Sequence, residues 1–158
     1  MTRQTLHSLV VPSEWIDYNG HMSEGYYALV FSDATDALYL HIGADADWRA
    51  AKKQSLYTVE THIRYLREVA EGATVSVATM IVGIDHKRIH LAHELMLGED
   101  CVATQEAMAL AVDLESGKST ALDAEMRASL SSLITETPPA YIGRRIALPD
   151  RATHTIET

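Results

Sequence analysis

The stretch Trp15-Ile16-Asp17-Tyr18-Asn19-Gly20-His21-Met22-Ser23-Glu24-Gly25-Tyr26-Tyr27 runs without a break into an apolar segment that ends at Gly43. An acid, an Asn-Gly turn, a histidine and a helix start lie closer together here than a connecting loop requires. Ser23 stands where an N-cap belongs, and Glu24 puts a negative charge in the first turn, where the helix dipole favours it. From there Tyr26, Tyr27, Leu29, Val30, Phe31, Ala34, Ala37, Leu38, Leu40 and Ile42 spread around most of a helix, which predicts burial on several sides. At about 1.5 Å per residue this helix is roughly 30 Å long, and Gly43 stops it.

Before the stretch, Leu6–Val11 reads as a first strand ended by Pro12. After it, Ala44–Lys53 reads as a short irregular helix or loop anchored by Trp48. The period then changes from 3.6 to 2. Tyr57, Val59, Thr61, Ile63 and Tyr65 alternate with Thr58, Glu60, His62 and Arg64, which predicts a half-buried strand with Glu60 and His62 facing away from the core. Glu71-Gly72, then Asp85-His86-Lys87-Arg88, then Gly98-Glu99-Asp100 read as hairpin turns, so the expected sheet is an antiparallel meander. A last helix is expected at about Asp123–Ile134. One domain over residues 1–136 is expected, followed by an extended tail over 137–158. The expected fold class is α+β: a long central helix, a five-stranded mainly antiparallel sheet around it, and a C-terminal helix. The sheet's other face and edges need a cover, which predicts a homo-oligomer, a dimer or a dimer of dimers.

The chain has 158 residues, 47% hydrophobic and 22% charged, as expected of an ordinary globular protein. No apolar run is long enough for a membrane span, and the N-terminus lacks a signal-peptide pattern. With a single cysteine, Cys101, this predicts a cytoplasmic protein without a disulfide or a zinc cluster. A net charge of −9 argues against a nucleic-acid partner, because phosphates need clustered Lys and Arg. It is compatible with a cationic substrate.

Asp17 is the first candidate for chemistry. Alone it reads as the residue closing an Asp-Tyr-Asn-Gly turn. Beside the start of a buried helix, whose first N–H groups have no intrahelical partner, it also reads as a carboxylate next to a carbonyl-binding position. That is a hydrolysis arrangement, with Asp17 as nucleophile or as general base. His21 has no Ser, Cys or second acid at triad spacing. His86, His90, His93 and Glu94 lack helical His-Glu-x-x-His spacing, and no metal site is expected. Lys87 and Arg88 read first as a charged turn and second as a clamp for the phosphates of a nucleotide-bearing ligand. Trp15, Tyr18, Tyr26, Tyr27, Trp48, Tyr57 and Tyr65 read as packing residues with a polar tip, and two or three of them meeting at a pocket would bind a quaternary ammonium by cation–π attraction.

In order and spacing, the first strand, Asp17-Tyr18-Asn19-Gly20-His21-Met22, the long helix and Tyr57-Thr58-Val59-Glu60-Thr61-His62-Ile63-Arg64-Tyr65-Leu66 resemble the hot-dog-fold acyl-CoA thioesterases of the 4-hydroxybenzoyl-CoA thioesterase type. The likeness covers roughly Leu6 to Leu114. Val11–Met22, Asp33–Leu38 and Tyr57–His62 are further similar to the thioesterases of bacterial carnitine degradation, some of them fused to a carnitine 3-dehydrogenase. That group is associated with hydrolysis of betainyl-CoA to glycine betaine and CoA. The resemblance implies Asp17 as the catalytic carboxylate, with His21 close by, and the backbone N–H groups of Glu24 and Gly25 as carbonyl polarisers. Substrate contacts are expected from Trp15, Asn19, Tyr26, Tyr57, Glu60 and His62, and CoA phosphate contacts from Lys87 and Arg88. No cofactor is implied, since coenzyme A arrives as part of the substrate. Glu14, Glu60, Asp33 and Asp36 are the acids then available for a trimethylammonium. The rival expectations are a thioesterase for aromatic or medium-chain acyl-CoA, and a non-catalytic acyl-CoA- or betaine-binding protein on the same fold. A hot-dog dehydratase is disfavoured because its His-Asp pattern on the central helix is absent.

Overall fold

The computed structural model describes residues 4–147. Strand β1 (Gln4–Val10) leads through a short 3-10 turn at Ser13–Trp15 to helix α1 (Glu24–His41). Helix α2 (Ala46–Lys52) follows, then β2 (Gln54–Tyr65), β3 (Thr74–Ile84), β4 (Arg88–Leu97), β5 (Asp100–Asp113) and helix α3 (Ala124–Ser131). All strand pairings are antiparallel, in the order β1-β3-β4-β5-β2. The class is α+β, a five-stranded sheet curled around α1.

The curl has a local cause. Each of the four strand pairings carries a register shift, next to Leu6, Val59, Val82 and Val102. A bulge bends its strand and increases its twist, so a sheet bulged in every ladder can close around a cylinder. Beneath the helix, β5 presents Ala103, Ala107, Ala109 and Ala111, all buried, and these small side chains let α1 lie close to the sheet. Of α1, Tyr27, Val30, Phe31, Ala34, Thr35, Leu38 and Tyr39 are buried. That is a single stripe at helical spacing. The expectation of burial on several sides is therefore corrected for one chain, since Leu29 is 44% and Leu40 63% exposed.

One polar tie crosses this interface. Thr35 Oγ1 donates to the Phe31 carbonyl at 2.9 Å, so it must accept from His93 Nε2–H at 3.1 Å. His93 Nδ1 then accepts from the Thr79 hydroxyl at 3.0 Å. The tautomer follows from the partners. The ring is sealed, and burial lowers its pKa to about 4.

Two more expectations change. The β2–β3 connection is not a hairpin: β2 lies at the sheet edge beside β5, and β3 lies on the far side of β4. Residues 66–73 cross the end of the sheet instead. They are held where Leu66 N and Arg67 N both donate to the Val102 carbonyl at 2.9 and 3.0 Å, and by the fully buried Val69. Hairpin loops usually run about two to five residues, and an apolar anchor inside this longer segment marks it as a crossing. On β2, the bulge at Val59 shifts the alternation. Leu56 points inward, while Tyr57 at 49% and Val59 at 56% exposure do not. Past the bulge Ile63 packs into the core.

The outer face of the sheet was expected to need a second copy. Part of it is covered by this chain. Ile134 forms a bridge to Ile81, Thr135 N donates to the Ile81 carbonyl, and the Tyr141 hydroxyl donates to the His93 carbonyl at 3.2 Å. Gly143 N donates to Glu106 Oε2 at 2.8 Å. Within 137–147 the chain therefore turns back onto the sheet rather than running extended, and 148–158 lie outside the described residues. Helix α3 ends at Ser131, earlier than expected, and is capped by Asp123 accepting from Met126 N.

Candidate active site

The loop ahead of α1 is folded tightly by its own backbone. Asp17 N donates to the His21 carbonyl, Gly20 N to the Asp17 carbonyl, and Asn19 N to Asp17 Oδ1, at 2.9, 2.9 and 2.8 Å. Gly20 takes a φ of +82°, a conformation that side-chain-bearing residues rarely adopt. Met22, 4% exposed, plugs the loop into the core, and its N–H donates to the Val69 carbonyl at 2.8 Å. Ser23 N donates to the Trp15 carbonyl, which closes the loop at its other side.

Helix α1 starts at Glu24. Ser23 holds the N-cap position with extended backbone but makes no side-chain capping bond, and Tyr26 N donates to its carbonyl at 3.0 Å. The N–H groups of Glu24 and Gly25 precede the helix's own bonding pattern. Nothing lies within 4 Å of where a side chain on Gly25 would begin, so the helix start is open to approach.

Beside it lies a cavity of about 630 Å³. Asp17, Asn19 and His21 of the loop and Glu24 of the helix start line it, together with Tyr27, Tyr65 and the crossing residues Leu66, Arg67 and Glu68. The two tyrosine rings meet at right angles, 83°, with centroids 5.1 Å apart. Burial first, then the charges of Tyr65 and Glu68, raise the pKa of Tyr27. Burial and then Glu24 raise that of Tyr65. Both hydroxyls stay protonated at neutral pH. His21 Nε2 lies 3.3 Å from Glu68 Oε2, and Arg67 is paired with Asp100 at 2.6 Å.

Of the residues singled out from sequence, Asp17, Asn19, His21 and Glu24 thus meet at one cavity, with Gly25 next along the helix. Trp15 and Tyr26 stack on each other, centroids 4.7 Å apart and planes 11° from parallel, beside the cavity rather than lining it. Tyr57, Glu60 and His62 lie on the outer face of β2. Glu60 and His62 border a separate cavity with His90 and Glu106, whose side chains pair at 2.7 Å. Lys87 and Arg88 sit at the opposite end of the sheet, about 30 Å away along a strand of β4's length. There Lys87 Nζ donates to Ser119 at 3.2 Å and Arg88 pairs with Asp85 at 2.6 Å. Of the aromatic residues singled out from sequence, Tyr27 and Tyr65 line the cavity, whereas Arg67 and Glu68 were missed. The one signal for them was Val69, an apolar residue too well placed for a turn. Among the described residues, no three His, Cys, Asp or Glu side chains converge as a metal ion would need, and no helix is long and apolar enough to cross a membrane.

The sheet wrapped around the long helix is a hot-dog fold, and a carboxylate and an open helix start meet at one of its cavities. Residues 11–130 match the model of the thioesterase-like superfamily, and the chain belongs to that family. It is 42% identical over 151 residues to a betainyl-CoA thioesterase of Pseudomonas aeruginosa, covering 92% of this chain and 95% of that one. It is 49% identical over 130 residues to an L-carnitine dehydrogenase/betainyl-CoA thioesterase of Agrobacterium fabrum, covering 81% of this chain and 26% of that protein. Among solved structures it is similar to a hypothetical protein from Staphylococcus aureus in complex with CoA, at a TM-score of 0.85 and 29% identity, covering 94% and 98% of the two chains.

Proposed function

We propose that this protein hydrolyses betainyl-CoA to glycine betaine and CoA. The observation that carries the reading is that Asp17 and the first turn of α1 line one cavity. A thioester carbonyl has little resonance stabilisation, so polarising its oxygen and supplying a nucleophile is sufficient chemistry. In this reading the N–H groups of Glu24 and Gly25 receive the carbonyl oxygen. A donor that strengthens as the oxyanion forms is worth on the order of 3 kcal/mol of barrier. The attacking oxygen is that of a water deprotonated by Asp17, or of Asp17 itself. The tetrahedral intermediate collapses with cleavage of the C–S bond, and the CoA thiolate leaves and takes up a proton. When Asp17 attacks, the resulting anhydride is then hydrolysed. Asn19 and Gly20 present the carboxylate. His21 shapes the loop through its carbonyl, which accepts from Asp17 N.

The test is CoA release, followed with a thiol reagent, from betainyl-CoA against benzoyl- and octanoyl-CoA. Preference for betainyl-CoA supports the reading. Preference for the neutral esters replaces it with an aromatic or medium-chain thioesterase, and product binding without thiol release replaces it with a binding protein. Single-turnover hydrolysis in heavy-oxygen water tests for direct attack: label in the Asp17 carboxylate, with unlabelled betaine in the first turnover, assigns the attack to Asp17.

We propose in addition that the chain works in the cytoplasm, where CoA esters are made, as a homodimer or a dimer of dimers. β2 is an edge strand with Tyr57 and Val59 exposed, and α1 exposes Leu29 and Leu40. Unpaired edges and contiguous apolar surface favour a second copy. Lys87 and Arg88 could then reach CoA phosphates only at a site on another chain. Light scattering after size exclusion is expected to give the mass of two or four chains, and a monomer overturns this part.

A further inference from the structure

The cavity beside Asp17 has features that attack on a carbonyl does not require. Its charged lining is mainly acidic: Asp17, Glu24 and Glu68 face it, while the guanidinium of Arg67 is held by Asp100 at 2.6 Å. Part of its lining is aromatic. Tyr27 is 4% exposed and fixed in the core, whereas Tyr65, set perpendicular to it, is 50% exposed and presents ring surface to the cavity. Packing a neutral acyl group here would strip water from carboxylates and return nothing for it. A quaternary ammonium has no hydrogen to donate and is weakly hydrated, so aromatic faces and nearby anions are what hold it. In a betainyl thioester only one methylene separates the cation from the reacting carbonyl. Whatever holds that cation must therefore stand in the same cavity as Asp17.

We infer that Tyr65 and Glu68 are specificity-determining residues that hold the cationic head of the acyl group, Tyr65 by its ring and Glu68 by its charge. This rests on the betainyl-CoA reading and adds to it the residues that choose the acyl group. Neither residue needs to touch the carbonyl. Glu68 comes from the crossing between β2 and β3, lines the cavity, and contacts His21 at 3.3 Å. Its side chain is 76% exposed, so its pull is screened and the effect is several-fold, not hundreds-fold.

The experiment compares kcat/KM for betainyl-CoA with that for 3,3-dimethylbutanoyl-CoA, which has the same shape with carbon in place of the charged nitrogen. The readout is the ratio of the two, so a general loss of activity in a variant cancels. Glu68→Gln is expected to lower the ratio about 3- to 10-fold, mainly through KM for the cationic ester, and Glu68→Lys to lower it further. Glu68→Asp restores most of it. Tyr65→Phe keeps the ratio, and Tyr65→Leu lowers it by a similar several-fold factor. A ratio unchanged in both Glu68→Gln and Tyr65→Leu overturns the inference while leaving the hydrolase reading intact. If the unaltered protein releases CoA from neither ester, the hydrolase reading falls and this inference falls with it.

Discussion

Two of the aspartates that close turns, Asp17 and Asp85, differ in how much of the carboxylate the turn uses. Asp85, in the β3–β4 turn, is saturated. Its Oδ1 accepts from Lys87 N and Arg88 N at 2.9 and 2.7 Å, and its Oδ2 accepts from the Arg88 side chain at 2.7 and 2.6 Å. The Lys87 N–H, the Arg88 guanidinium and the Arg88 N–H together hold its pKa far below the usual carboxylate range. Asp17 closes a turn with one bond, from Asn19 N at 2.8 Å, and faces a cavity with the rest of its carboxylate. A carboxylate whose lone pairs are all taken by its own turn stabilises that turn. One left with unused lone pairs at a cavity can accept a proton or attack. The same residue type in the same local motif differs because of what surrounds it.

The largest effect should come from breaking the reactive side of this pair. Asp17→Asn keeps the turn acceptor and removes the base, so kcat/KM is expected to fall by roughly 10³-fold, within the span of general acid–base effects. The thermal midpoint should be little changed. Turnover near that of the unaltered protein would remove Asp17 from the chemistry.

Acid titration reports on the sealed imidazole. His93 has its pKa lowered from 6.5 to about 4 by burial. Between those values the unfolded chain binds a proton that the folded one refuses. Folding stability should therefore be complete above about pH 6.5 and fall as pH drops towards 4, by about 3 kcal/mol if the full shift applies. Urea unfolding across that range measures the slope, and His93→Gln should flatten it. Asp85 is shifted in the same direction and with the same sense in stability: its depressed pKa contributes above the usual carboxylate value, and that contribution is lost at lower pH.

Gly20→Ala tests the bend that presents Asp17. At φ +82° an added side chain costs about 1 to 2 kcal/mol of backbone strain. We expect a lower urea midpoint and a kcat reduced about tenfold, because small displacements of a reacting group weaken catalysis steeply. Asp85→Ala is expected to have the smallest effect on function. The melting temperature should drop with kcat/KM per folded molecule unchanged, and a loss of activity matching that of Asp17→Asn would erase the distinction between the two turns.

The site was half legible in advance. The Asp17 loop, Gly20 and the start of α1 are consecutive, and turn chemistry with helix start signals locates them without any long-range information. The face assignment of β2 failed at Tyr57 because one extra residue at Val59 shifts the two-residue alternation, and a bulge leaves no mark in an alternating pattern of Tyr, Val and Thr. The β2–β3 hairpin failed for a different reason. Glu71-Gly72 has turn composition, and Gly72 does take a φ of +74°, but composition does not say which strand the chain rejoins.

By itself the sequence determined the local elements: a long helix ended at Gly43, strands with period 2, and an acid on a glycine bend ahead of a helix. These depend on residues within a turn or two of each other. Only the tertiary structure decided the strand order, the covering of the outer face by residues 135–143, and the meeting of Glu68 and Tyr65 with His21 and Asp17. The contacts of the site join residues more than forty positions apart along the chain. They form when burial of Val69, Met22 and Tyr27 repays the entropy of closing such loops, and no local pattern encodes that balance.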